Sequence, residues 1–396
     1  MSQDQLAELS RLLYSPVTLA LYLAAAFAYL YALTTSVGRR EERAKGRWAQ
    51  TVGSTLAVLG VGAHVAHEIV RGLAQSRLPL GNMFEVSSLM ALVGVVVGLV
   101  YLQFIRKRPE LNGFVMLGGS LVLAMAMLMY AEPGPLAPIL NTWWRYFHVS
   151  LLVGSMGIFG AAFVFNALYL LRDRAERSVA DPRSAVGGGS TVGAAYVGDL
   201  EAGTDAAVAG HGGSDPQDAD RDHDAEYRAA LRAGVPIPRL AVGTFLGTSV
   251  VSWVWWYSEG WSSAAGVTRF LTVNLVMVAA ALLARWFVPF LPSTATLDGL
   301  AHRTIAFGFV AWTVGTIAGA MWAEQSWGRF WGWDPKETGA FLTWVAYAGY
   351  LHSRATRGMR GRRAAWVGIG AFVLMMATYL VANYVVVGLH SYADLL

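Results

Sequence analysis

The residues best suited to chemistry lie in an aromatic segment, Trp327–Thr338, with the sequence WGRFWGWDPKET. Three Trp and one Phe fall within seven of its residues, and two glycines allow the backbone to bend. The Trp spacings of four and two, followed by Pro335, favour a loop or a surface helix over a buried helical stripe. Such a cluster could form a flat apolar wall. The alternative interpretation is an aromatic belt at the lipid headgroups, although belt residues are usually scattered singly.

Histidines provide the other candidate ligands. His352 lies about 13 residues into a predicted span at 339–354, which is roughly 20 Å at 1.5 Å per residue. An ionisable residue at that depth is a functional candidate by default, and the alternative is a snorkelling side chain that caps the last turn. His64 and His67 share one helix face and could bind a metal ion. Because Glu68 is the one carboxylate beside them, packing or hydrogen bonding is the simpler interpretation.

Composition places these residues in a membrane protein. Of 396 residues, 55% are hydrophobic and 14% are charged, whereas a soluble domain carries about 25% charged residues. Apolar runs of roughly 20 residues, the length that a helix needs to cross hydrocarbon, recur along the chain. The sequence therefore predicts an all-α, polytopic membrane helix bundle. It contains no Cys, which excludes disulfides, thiolate nucleophiles and Cys-ligated metals, so any thiol must come from a substrate or a partner.

Ten membrane spans are predicted to position the candidate residues. They cover about residues 16–34, 49–70, 83–105, 113–131, 146–171, 240–257, 270–291, 303–322, 339–354 and 365–387. If the sixth and seventh are only half inserted, eight spans remain. Basic clusters follow the first, third, fifth and ninth spans, which makes that side cytoplasmic by the positive-inside rule. Both termini and the aromatic segment then lie outside, and no nucleic-acid partner is expected.

Composition also divides the chain into four regions. Residues 173–239 contain 12 acids and 7 bases, which predicts a disordered acidic cytoplasmic linker. Residues 1–172 form an N-terminal five-helix membrane region on one side of it. Residues 240–299 form an additional membrane hairpin, and residues 300–396 form a core region that contains the aromatic segment.

The aromatic segment resembles the tryptophan-rich WWD signature of haem-handling membrane proteins. Its ending, Asp334–Thr338, resembles the CcsA (ResC) family in an actinobacterial form; this family supplies the integral membrane subunit of the system II cytochrome c synthetase. Further similar segments lie at 79–85, 147–150, 303–322, 344–352 and 388–392. The resemblance covers residues 49–172 and 300–396 in total.

The resemblance implies that haem b is bound, with ligands assigned by position. His148 and His390 resemble the two external histidines that ligate haem iron, and His352 resembles the transmembrane histidine ligand. The predicted topology separately brings His148 and His390 to the external face. His302 is an intrachain alternative for the ligand opposite His352. The remaining implied haem-binding residues are Trp327, Trp331, Trp333 and Asp334.

The implied function is that of a cytochrome c synthetase (haem lyase) subunit in a bacterial plasma membrane. It would carry haem to the outer face and present it for thioether attachment to the Cys-x-x-Cys-His motif of apocytochrome c. The implied partners are a CcsB (ResB)-type membrane subunit, on which activity would depend, the apocytochrome, and a thiol-reducing thioredoxin-like protein. Two alternatives stay open: a haem exporter or delivery chaperone that forms no bond, and a scaffold whose aromatic segment docks a redox partner without a cofactor.

Overall fold

The computed structural model describes residues 1–35, 40–134, 142–180, 216–260 and 262–386, and this part of the chain contains helices and no strands. The helices are α1 (Gln3–Leu12), α2 (Leu19–Thr35), α3 (Arg40–Gln75), α4 (Met83–Val100), α5 (Asn112–Met127), α6 (Trp143–Ala180), α7 (Pro216–Ala233), α8 (Ile237–Ser258), α9 (Ala264–Trp286), α10 (Thr294–Trp327), α11 (Pro335–Arg357) and α12 (Gly361–Tyr384). A π-helical segment at Leu13–Thr18 joins α1 to α2, and another at Tyr101–Ile105 extends α4.

The helices have the lengths that the apolar runs predict. Within the described residues, nine helical segments are long and apolar enough to cross a membrane. Helix α11 is a tenth candidate with 23 residues, and its apolar stretch is shorter because it is bounded by Glu337 and Arg354. Helices α8 and α9 have 22 and 23 residues, so the structure favours ten spans over eight. The chain is an all-α, multi-pass membrane protein.

Helix α6 is the central element of the bundle, and α4 and α10 pack closely against it. A Cβ atom on Gly157 of α6 would lie 2.5 Å from the Met90 carbonyl oxygen, and one on Gly94 would lie 2.9 Å from the Gly157 oxygen. Helices α4 and α6 therefore meet backbone to backbone, as small residues allow in membrane helices.

Aromatic contacts attach α11 to α6 and α10. The rings of Phe159 and Tyr347 stack with their centroids 3.8 Å apart. Trp312 of α10 donates from Nε1 to the Ala340 carbonyl at 3.1 Å, and Trp344 of α11 donates to Thr313 Oγ1 at 3.0 Å. Because both indole N–H groups are satisfied across the helix pair, these contacts fix the register of α10 against α11.

The predicted linker is helical at both of its ends. Residues 173–180 continue α6, and α7 with the start of α8 occupies the other end, while 181–215 lie outside the described residues. Helix α7 packs against the end of α6 because Leu231 and the following Val235 are almost fully buried in one shared apolar cluster. The prediction of disorder across 173–239 is wrong at these ends. Leu231 and Val235 provide apolar contacts there that the acidic composition does not indicate.

Candidate functional site

A cavity of about 800 Å³ lies where α4, α6, α10, α11 and α12 meet. This volume falls in the range of about 300–1,000 Å³ that is typical of small-molecule and cofactor sites. We refer to it as the aromatic cavity. Its aromatic lining residues are Trp312, Trp322, Phe330, Trp331, Tyr379 and Tyr384, and its methionines are Met83, Met129, Met156 and Met375.

His148 lies in the wall of the aromatic cavity with its ring orientation fixed by α10. Its Nδ1 atom lies 2.7 Å from the Gly315 carbonyl oxygen. Because a carbonyl can only accept, Nδ1 carries the proton, and in the neutral imidazole Nε2 then keeps its lone pair, as in most metal-ligating histidines. The ring also lies beside Trp322, with a centroid separation of 6.1 Å and an interplanar angle of 30°.

A glycine makes this position of the His148 ring possible. A Cβ atom on Gly319 would lie 2.5 Å from Cε1 and 2.6 Å from Nδ1 of His148. No side chain at position 319 could be accommodated without moving the imidazole. The His148 ring therefore packs directly against Gly319 on α10.

The aromatic segment forms a tight connection between α10 and α11. Trp331 lines the cavity, whereas Trp333 is 65% exposed and Trp327 packs on Trp322 with ring centroids 5.2 Å apart. The rings of Trp331 and Trp333 are nearly perpendicular, at 87°. The segment therefore does not form one flat wall, because Trp333 adopts a left-handed backbone conformation (φ 59°) that turns its side chain away.

The acidic residues of the same segment shape the loop and cap α11. Asp334 is 7% exposed, and its Oδ1 accepts from the Lys336 backbone N–H at 3.1 Å. Glu337 Oε2 accepts from the N–H groups of Gly332 and Asp334 at 2.7 and 3.2 Å. Together they form a capping box that satisfies the first N–H groups of α11. Asp334 thus holds the loop in place.

A fully buried carboxylate, Glu85, organises the chain around the start of α4. Glu85 Oε1 accepts from Arg71 Nε at 2.9 Å and from Asn82 Nδ2 at 3.2 Å. Its Oε2 accepts from Arg77 Nη1 at 2.9 Å and from the Gly81 N–H at 2.7 Å. Both oxygens are therefore satisfied, which a buried charge requires.

The arginines paired with Glu85 also position the chain at the cavity rim. Arg71 Nη2 donates to the Ala131 carbonyl at 2.7 Å, and Arg77 Nε donates to the Gly134 carbonyl at 3.0 Å. The cations that line the cavity are Arg77, Arg145 and Lys336. Two carboxylates, Glu132 and Glu337, line it as well. The aromatic cavity thus combines apolar walls with a small excess of positive charge, and suits a flat apolar ligand that carries carboxylates.

The remaining predicted histidine ligands lie elsewhere. His302 lines a second cavity of about 630 Å³ at the other end of α10, where its ring lies 6.1 Å from that of Tyr350. His352 is exposed on α11 and lines neither of these two cavities. His390 lies outside the described residues. Of the predicted site residues, the structure brings His148 and Trp331 together at one cavity.

His64 and His67 belong to a buried hydrogen-bond network. His64 Nδ1 lies 3.0 Å from the Tyr22 hydroxyl, and its Nε2 lies 3.0 Å from Ser88 Oγ. Ser88 in turn donates to Glu68 Oε1 at 2.6 Å, and His67 Nδ1 donates to a backbone carbonyl of α1 at 2.7 Å. Among the described residues no group of three or more acidic or histidine side chains could hold a metal ion. The hydrogen-bonding interpretation of this pair is confirmed.

Sequence reasoning missed several residues that build the aromatic cavity. Glu85, Arg77 and Arg145 border apolar runs, and an ionisable residue at such a position is itself a signal of function. Gly319 gives no comparable signal, because its contact with His148 joins two helices that are far apart in the sequence.

Comparison with known proteins identifies the family. The family model described as "Cytochrome C assembly protein" matches residues 80–390. The chain is 29% identical over 399 residues to the cytochrome c biogenesis protein CcsA of Gloeobacter violaceus, across 99% of this chain and 98% of that protein. It is 50% identical over 96 residues to CcsA of Synechococcus sp., across 24% of this chain and 31% of that protein. With CcsA of Microcystis aeruginosa it shares 44% identity over 127 residues, across 32% and 37% of the two chains. The chain therefore belongs to the cytochrome c assembly protein family, in its CcsA (ResC) branch.

Proposed function

We propose that this chain holds haem b in the aromatic cavity, on the external side of a bacterial plasma membrane, and presents it for attachment to apocytochrome c. Its family gives it a role in cytochrome c maturation. The observation that carries the finer proposal is the state of His148. Its Nδ1–H is committed to the Gly315 carbonyl, so Nε2 is the nitrogen with a lone pair for an axial bond to haem iron.

The lining of the aromatic cavity fits the two chemical parts of haem. Trp331, Trp322 and the methionine side chains offer apolar contact to the macrocycle. Arg77, Arg145 and Lys336 offer positive charge to the two propionate carboxylates. Trp327, Trp333 and Asp334 would act on haem indirectly, by supporting Trp322, Trp331 and the loop between them.

His390 is the proposed second axial ligand. It follows Tyr384 by six residues, and Tyr384 both ends α12 and lines the aromatic cavity. Six residues can extend up to about 20 Å, which is long enough for His390 to reach the aromatic cavity from Tyr384. Two imidazoles would then hold the iron and leave the vinyl edges accessible.

The chain contributes binding and orientation, and the reacting groups belong to haem and the apocytochrome. Each thiol of the Cys-x-x-Cys-His motif adds across one vinyl group: the sulfur bonds to one carbon and the hydrogen to the other, without net oxidation. The absence of Cys from this chain leaves no competing thiol. A thioredoxin-like protein is the proposed source of reduced substrate thiols.

A CcsB (ResB)-type subunit is the proposed membrane partner. His352 is exposed on α11, in an orientation that suits an iron ligand shared with another membrane chain. In this proposal haem enters at His352, with the opposite ligand from the partner, and then reaches the aromatic cavity. His302 faces the second cavity, which argues against it as the opposite ligand.

The proposal is tested by forming a cytochrome from defined components. The chain, a ResB-type partner and a Cys-x-x-Cys-His reporter are expressed in bacteria without their own maturation genes, and covalent haem is stained on denaturing gels. Wild type should label the reporter, and His148→Ala should lose most of the label. Ile317→Ala, at an exposed position of α10 that lines neither cavity, should keep it. Bound haem without a labelled reporter would favour the delivery chaperone, and labelling that is insensitive to His148→Ala would contradict the proposal.

A further inference from the structure

The second cavity lies at the opposite end of α10 from the aromatic cavity. We call it the arginine cavity. It is formed by the first turns of α10, the last turns of α11 and the first residues of α12, with Tyr169 of α6 at one side. None of the proposed steps at the aromatic cavity uses it. Its charged and polar lining residues include Asp298, His302, Arg303, Arg354 and Arg360.

One ion pair in this cavity is structural. Arg354 donates from Nη1 and Nη2 to the two oxygens of Asp298, both at 2.8 Å. The same carboxylate accepts from the Gly361 N–H at 3.1 Å, so it ties α10, α11 and α12 together. Asp298 is thereby neutralised and leaves no negative charge for the other cations.

Two arginines in the cavity remain uncommitted. Arg303 and Arg360 are both exposed, and neither forms an ion pair within the part of the chain that the structure describes. His302 Nδ1 is buried in the same cavity and has no hydrogen-bond partner among the described residues. The lining therefore carries two excess positive charges and an unsatisfied ring nitrogen.

We infer that the arginine cavity binds the oxyanion group of a membrane amphiphile, either the phosphate of an anionic phospholipid or a propionate of haem. Guanidinium groups bind such oxyanions through paired N–H donors, and basic pockets between membrane helices are typical headgroup sites. The phosphate source is independent of the proposed function, whereas the propionate source rests on it.

The surface beside the cavity favours an amphiphile over a free anion. Phe307 lies four residues after Arg303 on the same face of α10 and is 62% exposed, and Val310 is also 62% exposed. An oxyanion at Arg303 would therefore continue into an apolar body along α10. Arg303 would hold the charged end, and Phe307 would contact the apolar part.

The test compares two pairs of arginines at the same end of the bundle. Arg303→Gln/Arg360→Gln removes both uncommitted cations from the cavity. Arg357→Gln/Arg362→Gln removes the same charge at exposed positions that are not among the lining residues. Thermal unfolding of both variants is measured first, and each should unfold close to the wild-type temperature, because the Arg354–Asp298 pair is retained.

Two probes separate the sources of the oxyanion. Phosphatidylglycerol retained by detergent-purified protein is counted by native mass spectrometry, and haem and haem dimethyl ester are titrated separately by absorption. We expect the cavity variant to lose about tenfold or more in apparent affinity for one oxyanion ligand, as for a lost charge-assisted interaction. The control variant should lose none.

Each outcome has a defined meaning. Loss of phosphatidylglycerol assigns the phosphate, and weaker binding of haem but not of its ester assigns the propionate. Unchanged affinity for both ligands, or an equal loss in the control variant, would overturn the inference. Failure of the proposed function is distinguishable, because haem missing from wild-type protein would leave the phosphatidylglycerol comparison intact.

Discussion

The two cavities of the bundle differ in how firmly their charged groups are held. In the aromatic cavity, Arg77 and its neighbour Arg71 share Glu85, and the His148 ring is fixed by a backbone carbonyl. In the arginine cavity, Arg303 and Arg360 have no such partner among the described residues. Arg303 and Trp322 mark the two ends, about 28 Å apart along α10 at 1.5 Å per residue.

This difference indicates two kinds of recognition. A site with its imidazole and charges fixed in advance is suited to holding a ligand in one orientation, which attachment chemistry requires. A site with exposed guanidinium groups that form no ion pair is suited to capturing an oxyanion from the membrane surface. Substitutions of the residues that create this difference can break it, and their expected effects range from a large loss of stability to a small local change.

Removing the Glu85 charge should have the largest effect. Glu85→Gln would leave Arg71 and Arg77 buried with one partner weakened, and breaking a buried ion pair typically costs about 3–5 kcal/mol. We expect a clear loss of folded protein or a much lower unfolding temperature in detergent. Glu110→Gln, whose ion pair with Arg108 is partly exposed, is the control and should change stability by less than about 0.5 kcal/mol. Equal stabilities of the two variants would contradict the role of Glu85.

Asp298 should matter for stability but not for the aromatic cavity. Asp298→Asn weakens a bidentate pair with Arg354, whose side chains are 14% and 9% exposed. We expect a loss of about 1–3 kcal/mol in the free energy of unfolding, with the His148-dependent part of the haem absorption unchanged in the protein that stays folded. A change in that part of the spectrum would mean that the two ends of the bundle are coupled.

Gly319→Ala tests whether the position of the His148 ring matters, without removing the histidine itself. The added Cβ would displace the imidazole, and changes next to a metal-ligating histidine typically cost about 10–100-fold in affinity. Haem titration should show that loss. Gly370→Ala in α12 is a matched control, because a Cβ there would meet no atom within 4 Å and Gly370 lines neither cavity. The same affinity in both variants would show that the ring position does not matter.

Substitutions of Asp334 should have the smallest effect. They distinguish a helix-capping role of this residue from direct contact with haem. If it acts as the helix cap, Asp334→Asn should preserve stability and haem affinity, since Asn caps as well as Asp. Asp334→Ala should cost about 1 kcal/mol. Hydrogen exchange over residues 328–338 measures the local effect. A large loss of haem affinity in Asp334→Asn would indicate direct contact with haem instead.

The membrane helices could be predicted from the sequence because each is a long apolar run, and the positions of α8 and α9 follow from such runs. Helices α1 and α7 could not, because they are polar and form through packing. Helices α8 and α9 also differ from the other spans in burial, since only 11% of the most apolar stretch of each is buried within this chain.

The candidate site was predictable where one motif carries it. The aromatic segment pointed to Trp331, and family resemblance pointed to His148. The contact of the His148 ring with Gly319 and the partners of Glu85 depend on helices that are distant in the sequence, and no local pattern encodes them. The exposure of Trp333 was equally hidden, since it follows from a left-handed backbone angle in the loop.

The most direct test of the central claim is the reduced absorption spectrum of detergent-purified protein, co-expressed with a ResB-type partner. Wild type, His148→Ala and Gly370→Ala are compared at equal protein concentration. We expect a haem Soret band in wild type and in Gly370→Ala that is weakened or shifted in His148→Ala. A band that is identical in all three, or no band in wild type, would contradict haem ligation by His148 in the aromatic cavity.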